Sequence, residues 1–248
     1  MNFFSLYKRN FLYKIRKKNY IDLDDSFNGK SLEDIFARYG TDKANFWGEE
    51  NSKGHGYSKY YEKHFKQIRN NKVNILEIGS YSGASAASFS KYFPNSKIFC
   101  LDINISNFKF SSNKIHVFGT DVSSSKMISN FYKKINISSE ENFFDIIIDD
   151  GSHKLSDILF SLNNFYKNLK KNGFYVIEDF MFPNYFKHLN DVSELKIDEL
   201  VKKIKNKQKF NSNIIEERLK NYFKKENNAI NVYKGNLSNS DIVFFQKN

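Results

Sequence analysis

The sequence predicts an α/β fold: a doubly wound, mostly parallel sheet with helices on both faces and an antiparallel hairpin at its C-terminal end. Three observations predict it. Short apolar or β-branched runs recur at Val73 to Ile78, Ile98 to Leu101, Ile115 to Phe118, Phe144 to Asp150 and Phe174 to Ile177. Runs of that length between turn residues read as strands buried on both faces, which belong to parallel sheets. Helical segments alternate with the runs through short links, which specifies right-handed crossovers. Most of the runs also end in acids or in a glycine turn, and ligands of such sheets bind outside the carboxyl ends of the strands.

Taken in order, residues 1–20 mix aromatics with Lys8, Arg9, Lys14, Arg16, Lys17 and Lys18 and contain no uncharged stretch of the kind a signal peptide needs. They read as a helix packed on the domain or frayed from it, the favoured reading because termini are often poorly fixed. The other reading is peripheral contact with anionic lipid. Ser31 and Asp34 form a capping-box-like helix start, and Gly40 is placed to end that helix. The Gly- and aromatic-rich stretch through Tyr57 reads as a covering loop, and Tyr60, Tyr61, His64, Phe65 and Ile68 recur at helical spacing. The strand at Val73 to Ile78 leads through Gly79-Ser80-Tyr81-Ser82-Gly83 into a small-residue helix, Ala84 to Lys91. Further helices are expected over Ser123 to Ile135 and Ser156 to Leu169, then helical periodicity over Val192 to Ile204 and Ile214 to Phe223 in a Lys-rich insertion at about 184–228. Ala229 to Tyr233 and Ile242 to Phe245 flank a polar turn and read as a hairpin at the sheet edge. The expected organisation is a helical cap with an active-site loop over 1–70 and a Rossmann-like domain over 71–248.

The 248 residues are 40% hydrophobic and 17% aromatic, which excludes a disordered chain, and no apolar run approaches membrane-spanning length. The single cysteine, Cys100, lies in an apolar run and points to a buried thiol in a reducing, cytoplasmic setting. The net charge of +11 is discounted, because Lys, Asn, Ile, Phe and Tyr crowd the whole chain as an AT-rich genome would make them.

Glu77-Ile78-Gly79 and Gly83 form a strand-to-helix turn at which a backbone can approach a ligand. The turn lacks the third glycine of a dinucleotide fingerprint, and an ordinary βα turn is the alternative. Asp102 closes the second strand 25 positions after Glu77, where a carboxylate can accept both ribose hydroxyls. Asp121 ends the third strand, where it can accept from an exocyclic amine. Glu77, Gly79, Ser82, Asp102 and Asp121 are therefore candidate contacts to a nucleoside cofactor, with Asp149 divided between that role and a structural cap. Asp150, Glu178 and Asp179 at two later strand ends offer hard oxygen ligands suited to Mg²⁺ or a similar cation. His153 follows Asp150 in the turn, and an imidazole suits removal of a proton from a hydroxyl. The plainer alternative is that these acids cap helices and His153 is a turn residue.

The set Tyr39-Gly40-Thr41-Asp42-Lys43, Leu76-Glu77-Ile78-Gly79, Leu101-Asp102-Ile103, Ile148-Asp149-Asp150-Gly151-Ser152-His153 and Val176-Ile177-Glu178-Asp179 resembles the metal-dependent sugar O-methyltransferases that act on macrolide deoxysugars, of the mycinamicin and macrocin type. The glycine turn alone is generic to class I S-adenosylmethionine methyltransferases, whereas the Asp-Asp-Gly-Ser-His and Glu-Asp pair is far more specific. The resemblance implies S-adenosylmethionine as cofactor, Mg²⁺ (or Mn²⁺) on Asp150, Glu178 and Asp179, and His153 as general base. It places Thr41, Asp42 and Lys43 in a loop that closes over the site.

The expected activity is methylation of a sugar hydroxyl, on a nucleotide-activated or glycoconjugate sugar destined for surface polysaccharide. The expected partner is a small-molecule acceptor, with no nucleic acid and with homo-oligomerisation left open. One rival is an RNA or other small-molecule methyltransferase, supported by a pI near 9.4 but by no RNA-binding module. Another is a nicotinamide-dependent oxidoreductase, opposed by the imperfect glycine fingerprint. A noncatalytic cofactor binder is opposed by the intact acid and histidine set.

Overall fold

The computed structural model describes residues 3–27, 29–48, 50–226 and 229–248. The chain divides into two compact units, Met1–Asp121 with Gly235–Ser238, and Val122–Lys234 with Asn239–Asn248.

The first unit carries helices α1 (Phe3–Ile15), α2 (Leu32–Tyr39), α3 (Ser58–Phe65) and α4 (Ala84–Tyr92) and strands β1 (Val73–Ile78), β2 (Ser96–Asp102) and β3 (Ile115–Gly119). Strand β2 pairs in parallel with both β1 and β3. Ile75, Leu76, Ile98, Cys100 and Leu101 are fully buried, as strands covered on both faces require. Small residues let α4 lie close to its neighbours, and Ser88 and Ser90 satisfy their buried hydroxyls by donating to Ala84 O at 2.8 Å and Ala87 O at 2.7 Å. Phe36, Tyr61 and Phe89 meet in an edge-to-face cluster that joins α2, α3 and α4. Helix α2 begins as expected: the Asp34 amide donates to Ser31 Oγ at 3.1 Å, and Ser31 Oγ donates to Asp34 Oδ2 at 2.7 Å. Gly40 ends it in the left-handed conformation.

The second unit contains α5 (Ser125–Lys134), β4 (Phe144–Asp149), α6 (Leu155–Phe165), β5 (Leu169–Glu178), the one-turn α7 (Phe182–Tyr185), α8 (Ile197–Lys205), α9 (Glu217–Lys225), β6 (Ala229–Lys234) and β7 (Asp241–Gln246). Strands β4 and β5 are parallel, β7 is antiparallel to β5, and β6 completes the hairpin beside β7. The mostly parallel pairing with an antiparallel C-terminal hairpin is the predicted fold class. Within the insertion, α8 buries Ile197, Leu200, Val201 and Ile204, and α9 packs Phe223 against Tyr166 and Phe245.

The structure differs from these expectations in three places. Strand β5 starts five residues before the apolar run, because the Asn172 amide donates to Lys247 O and the Lys247 amide to Gly173 O, in a stretch too polar to announce a strand. Helices α8 and α9 are shorter than their periodic patterns. The loop read between α2 and α3 contains a two-residue antiparallel pairing, Phe46–Trp47 with Ser52–Lys53. Among the described residues no helix is long and apolar enough to cross a membrane.

The reciprocal cap at α2 predicts that Ser31→Ala lowers unfolding free energy by about 1 kcal/mol, measured as a lower urea midpoint at unchanged slope.

Candidate functional site

In the first unit the site begins where β1 ends. Glu77 is buried in the strand, and Gly79 follows at φ 86°, its amide donating to Leu101 O at 2.8 Å. Gly83 precedes α4 at φ 79°, and a Cβ there would lie 2.4 Å from the Phe108 ring, so the position admits only glycine. Asp102, at the end of β2, accepts from the Tyr81 amide at 2.7 Å and from the Asn104 amide at 2.5 Å. Its carboxylate thus fixes the glycine turn as well as closing its own strand. Tyr81 is itself left-handed, φ 40°, with its ring in solvent. Ser82 O accepts from the Lys109 amide at 2.9 Å. Asp121 is half-buried just beyond β3. The left-handed glycines, the amide-rich turn and the strand-end carboxylate fit a nucleoside-bearing cofactor.

Cys100 lies under this turn, 4.0 Å from Glu77 Oε2. Burial first, then the Glu77 charge, pushes its thiol well above the usual range, so it is an inert core group. The Thr41-Asp42-Lys43 segment is held as a compact loop. Thr41 and Lys43 are buried, Lys43 O accepts from the Tyr57 amide at 2.8 Å, and exposed Asp42 faces His55 with Oδ2 to Nε2 at 3.8 Å. A Cβ on Gly54 would collide with Ala44 O. The histidine partner of Asp42 lies 13 positions away in a loop without periodicity, and sequence reasoning missed it.

In the second unit, single donor atoms of Asp150, His153 and Asp179 lie within 4.8 Å of one another. His153 Nε2 is 3.7 Å from Asp150 Oδ1. Two carboxylates and an imidazole at that spacing fit a divalent cation of the Mg²⁺ or Mn²⁺ type. Both turns are left-handed at non-glycine residues, φ 56° at His153 and φ 51° at Asp179. Asp179 O accepts from the Phe182 amide at 2.9 Å, and the Phe182 ring lies 4.8 Å from the His153 ring, centroid to centroid. Glu178, buried as the last residue of β5, is not in the three-residue group. Phe182 went unnoticed in the sequence because nothing in Phe180-Met181-Phe182 singles out one ring.

Asp149, immediately before this group, is buried, and the Tyr175 hydroxyl approaches it at 3.5 Å. Burial is the largest influence on its carboxyl, and it outweighs the Gly151 amide and Ser161 bonds that favour the charged form. With the Asp150 and Asp157 charges adding to it, the pKa is pushed up to about 7.

No family model matches the chain. L-olivosyl-oleandolide 3-O-methyltransferase of Streptomyces antibioticus is 32% identical over 155 residues, 60% of this chain and 36% of that protein. Mycinamicin VI 2''-O-methyltransferase of Micromonospora griseorubida is 28% identical over 155 residues, 60% of this chain and 35% of that protein. The chain thus spans about a third of the length of these relatives. Among solved structures, the MycE methyltransferase of the mycinamycin pathway, in complex with Mg, SAH and mycinamycin VI, superposes at TM-score 0.63 and 22% identity. That match covers 88% of this chain and 55% of MycE. The chain has the class I methyltransferase fold. Within that fold its sequence is similar to sugar O-methyltransferases, as the strand-end motifs implied.

The Asp149 carboxyl sets a pH dependence of stability. Its folded pKa lies above the unfolded value near 4, so between those values the native state holds a proton that the unfolded state has lost. Metal-free protein is therefore expected to lose stability as pH rises from about 4 to about 7, and Asp149→Asn to flatten that part of the profile, followed by thermal melts in EDTA.

Proposed function

We propose that the protein is an S-adenosylmethionine-dependent, Mg²⁺-dependent O-methyltransferase acting on a sugar hydroxyl. The observation that carries the reading is the grouping of Asp150, His153 and Asp179 donor atoms on a fold shared with MycE. Gly79, Ser82, Asp102, Asp121 and Glu77 would serve the methyl donor, with Thr41, Asp42 and Lys43 supplied by the compact loop of the 1–70 cap; Asp149 is assigned to the same set. Asp150 and Asp179 would hold the ion, with Glu178 assigned beside them from its motif. When bound, the cofactor supplies an electrophilic methyl group and the ion acidifies the acceptor hydroxyl.

His153 then takes the hydroxyl proton on an imidazole nitrogen. Its Nε2 lies 3.7 Å from Asp150 Oδ1, which sets the imidazole beside one of the residues that would hold the ion. The Phe182 ring against the imidazole limits its rotation and excludes water from one side. His153 could instead be a third ligand, and the two roles separate experimentally. His153→Ala is expected to lower kcat by at least about 100-fold while Mn²⁺ and S-adenosylhomocysteine still bind by calorimetry. Loss of Mn²⁺ binding in that variant would make it a ligand. Asp150→Ala is expected to abolish both ion binding and turnover, and EDTA-insensitive turnover by the wild type would overturn the catalytic ion.

We further read the acceptor as a nucleotide-activated or glycoconjugate sugar for surface polysaccharide, handled in the cytoplasm. A cleft of about 820 Å³ in the second unit supports it, lined by Lys203, Lys209 and Lys220, which also bonds Ser212 O and Glu217, with Asn211, Asn213, Phe210 and the Glu194 carboxylate. Lysines and amides around a concave surface suit a diphosphate, and an aromatic ring suits a base. Incubation with labelled S-adenosylmethionine, Mg²⁺ and paired sugars with and without a nucleoside diphosphate tests this by product mass. Methylation of the nucleotide-linked member is expected, and an acceptor profile indifferent to the nucleotide would remove the diphosphate from the reading.

A further inference from the structure

Helix α1 has two faces with different fates. One docks on the first unit: Arg9 Nη1 donates to Ile103 O at 3.1 Å, Arg16 Nη1 donates to Ser106 O at 2.7 Å, and the Tyr13 ring meets Phe108 edge-on at 6.3 Å. Asn10 lies on the same side, against Gly119, where a side chain would collide with it. The other face carries Tyr7, Phe11 and Ile15, which recur every four residues and so form one stripe. They are 66%, 54% and 64% exposed, and Leu12 beside them is 39% exposed. Large apolar side chains aligned in water along a helix that is already docked are not explained by packing.

We propose that this stripe seats the protein on an anionic lipid surface. The flanking charges select that occupant. Lys8, Lys14 and Lys17 are exposed around the stripe, and among the described residues they make no hydrogen bond or ion pair. Residues 1–20 hold six Lys and Arg, and the first acid is Asp22. A second copy docking through the same face would set those cations against their own kind, because a two-fold contact is self-complementary. An anionic bilayer meets both demands: the headgroups take the lysines, and the apolar stripe enters the boundary between headgroup and acyl chain. Arg9 and Arg16 bond the carbonyls of the docking loop, so the helix lies flat against its own unit with the stripe outward. The helix is about 20 Å long at 1.5 Å per residue, enough for three apolar anchors and too short to span.

The inference does not rest on the methyltransferase reading, and its test needs no turnover. The full chain is sedimented with vesicles of phosphatidylglycerol and phosphatidylcholine, or of phosphatidylcholine alone. Binding to the anionic vesicles that weakens with salt is expected, with little on the neutral ones. Tyr7→Ser/Phe11→Ser/Ile15→Ser together, and separately Lys8→Glu/Lys14→Glu/Lys17→Glu, should each lower vesicle affinity at least tenfold with circular dichroism unchanged. All six positions face solvent, so neither variant removes a docking bond. Wild-type protein that stays in the supernatant at low salt would overturn the proposal, as would a stripe-dependent dimer in sedimentation velocity without vesicle binding.

Discussion

The candidate site depends on how its strands end. Three of the turns that carry candidate residues go left-handed: φ 86° at Gly79 in the first unit, and 56° at His153 and 51° at Asp179 in the second. Glycine meets that demand without penalty at the first. The other two carry side chains, and a left-handed L-residue costs roughly 1–2 kcal/mol. Glycine would relieve both positions and would delete the imidazole and one of the two carboxylates of the three-residue group. The turns that bear them are braced, because the Phe182 amide closes the Asp179 turn and the Phe182 ring packs on His153.

Burial of acids is the second constraint. Glu77, Asp149, Glu178 and Asp179 all sit at or just past the ends of apolar strands with almost no surface. A carboxylate in that setting must find donors, a cation or a proton. Asp149 takes the proton, and its raised pKa makes it a neutral hydrogen-bonding group up to about pH 7. Asp179 finds Asp150 and His153 beside it instead, a donor set that a cation would satisfy. Adjacent acids in the sequence are thus divided by environment: Asp149 holds a proton, whereas Asp150 and Asp179 share a donor group with His153.

Much of this was legible from residue order. The strands announce themselves as apolar runs because they are covered on both faces, and the motifs follow because each run ends in acids or in a glycine turn. The Ser31 and Asp34 cap needs only local geometry and was equally readable. Tertiary contacts were not. Phe182 sits in a run that looks like core, the Asp42 and His55 pairing depends on how a glycine-rich loop folds back, and the polar start of β5 is held by bonds to Lys247 that no pattern encodes. Glu178 and Asp179 looked equivalent as neighbours in sequence. Glu178 closes the strand and Asp179 begins the left-handed turn beyond it, leaving Asp179 in the donor group and Glu178 outside it.

The excess of positive charge shows why composition is a weak guide until geometry is known. Part of it is structural. Arg9 and Arg16 fasten α1 through backbone carbonyls, Lys114 donates to Ser90 O, and Lys247 donates to Leu169 O at 2.6 Å while lying over the Tyr166 and Tyr222 rings. Burial holds the Lys247 ammonium below its usual pKa, as expected of a cation used as packing. Cations spent this way attract nothing from outside. The remaining cations are spread over the surface, and some of them flank the apolar stripe of α1 or line the cleft of the insertion. A compositional bias would scatter lysines evenly over the surface. It would not align Tyr7, Phe11 and Ile15 between Lys8 and Lys14 on the one face of α1 that the protein leaves uncovered.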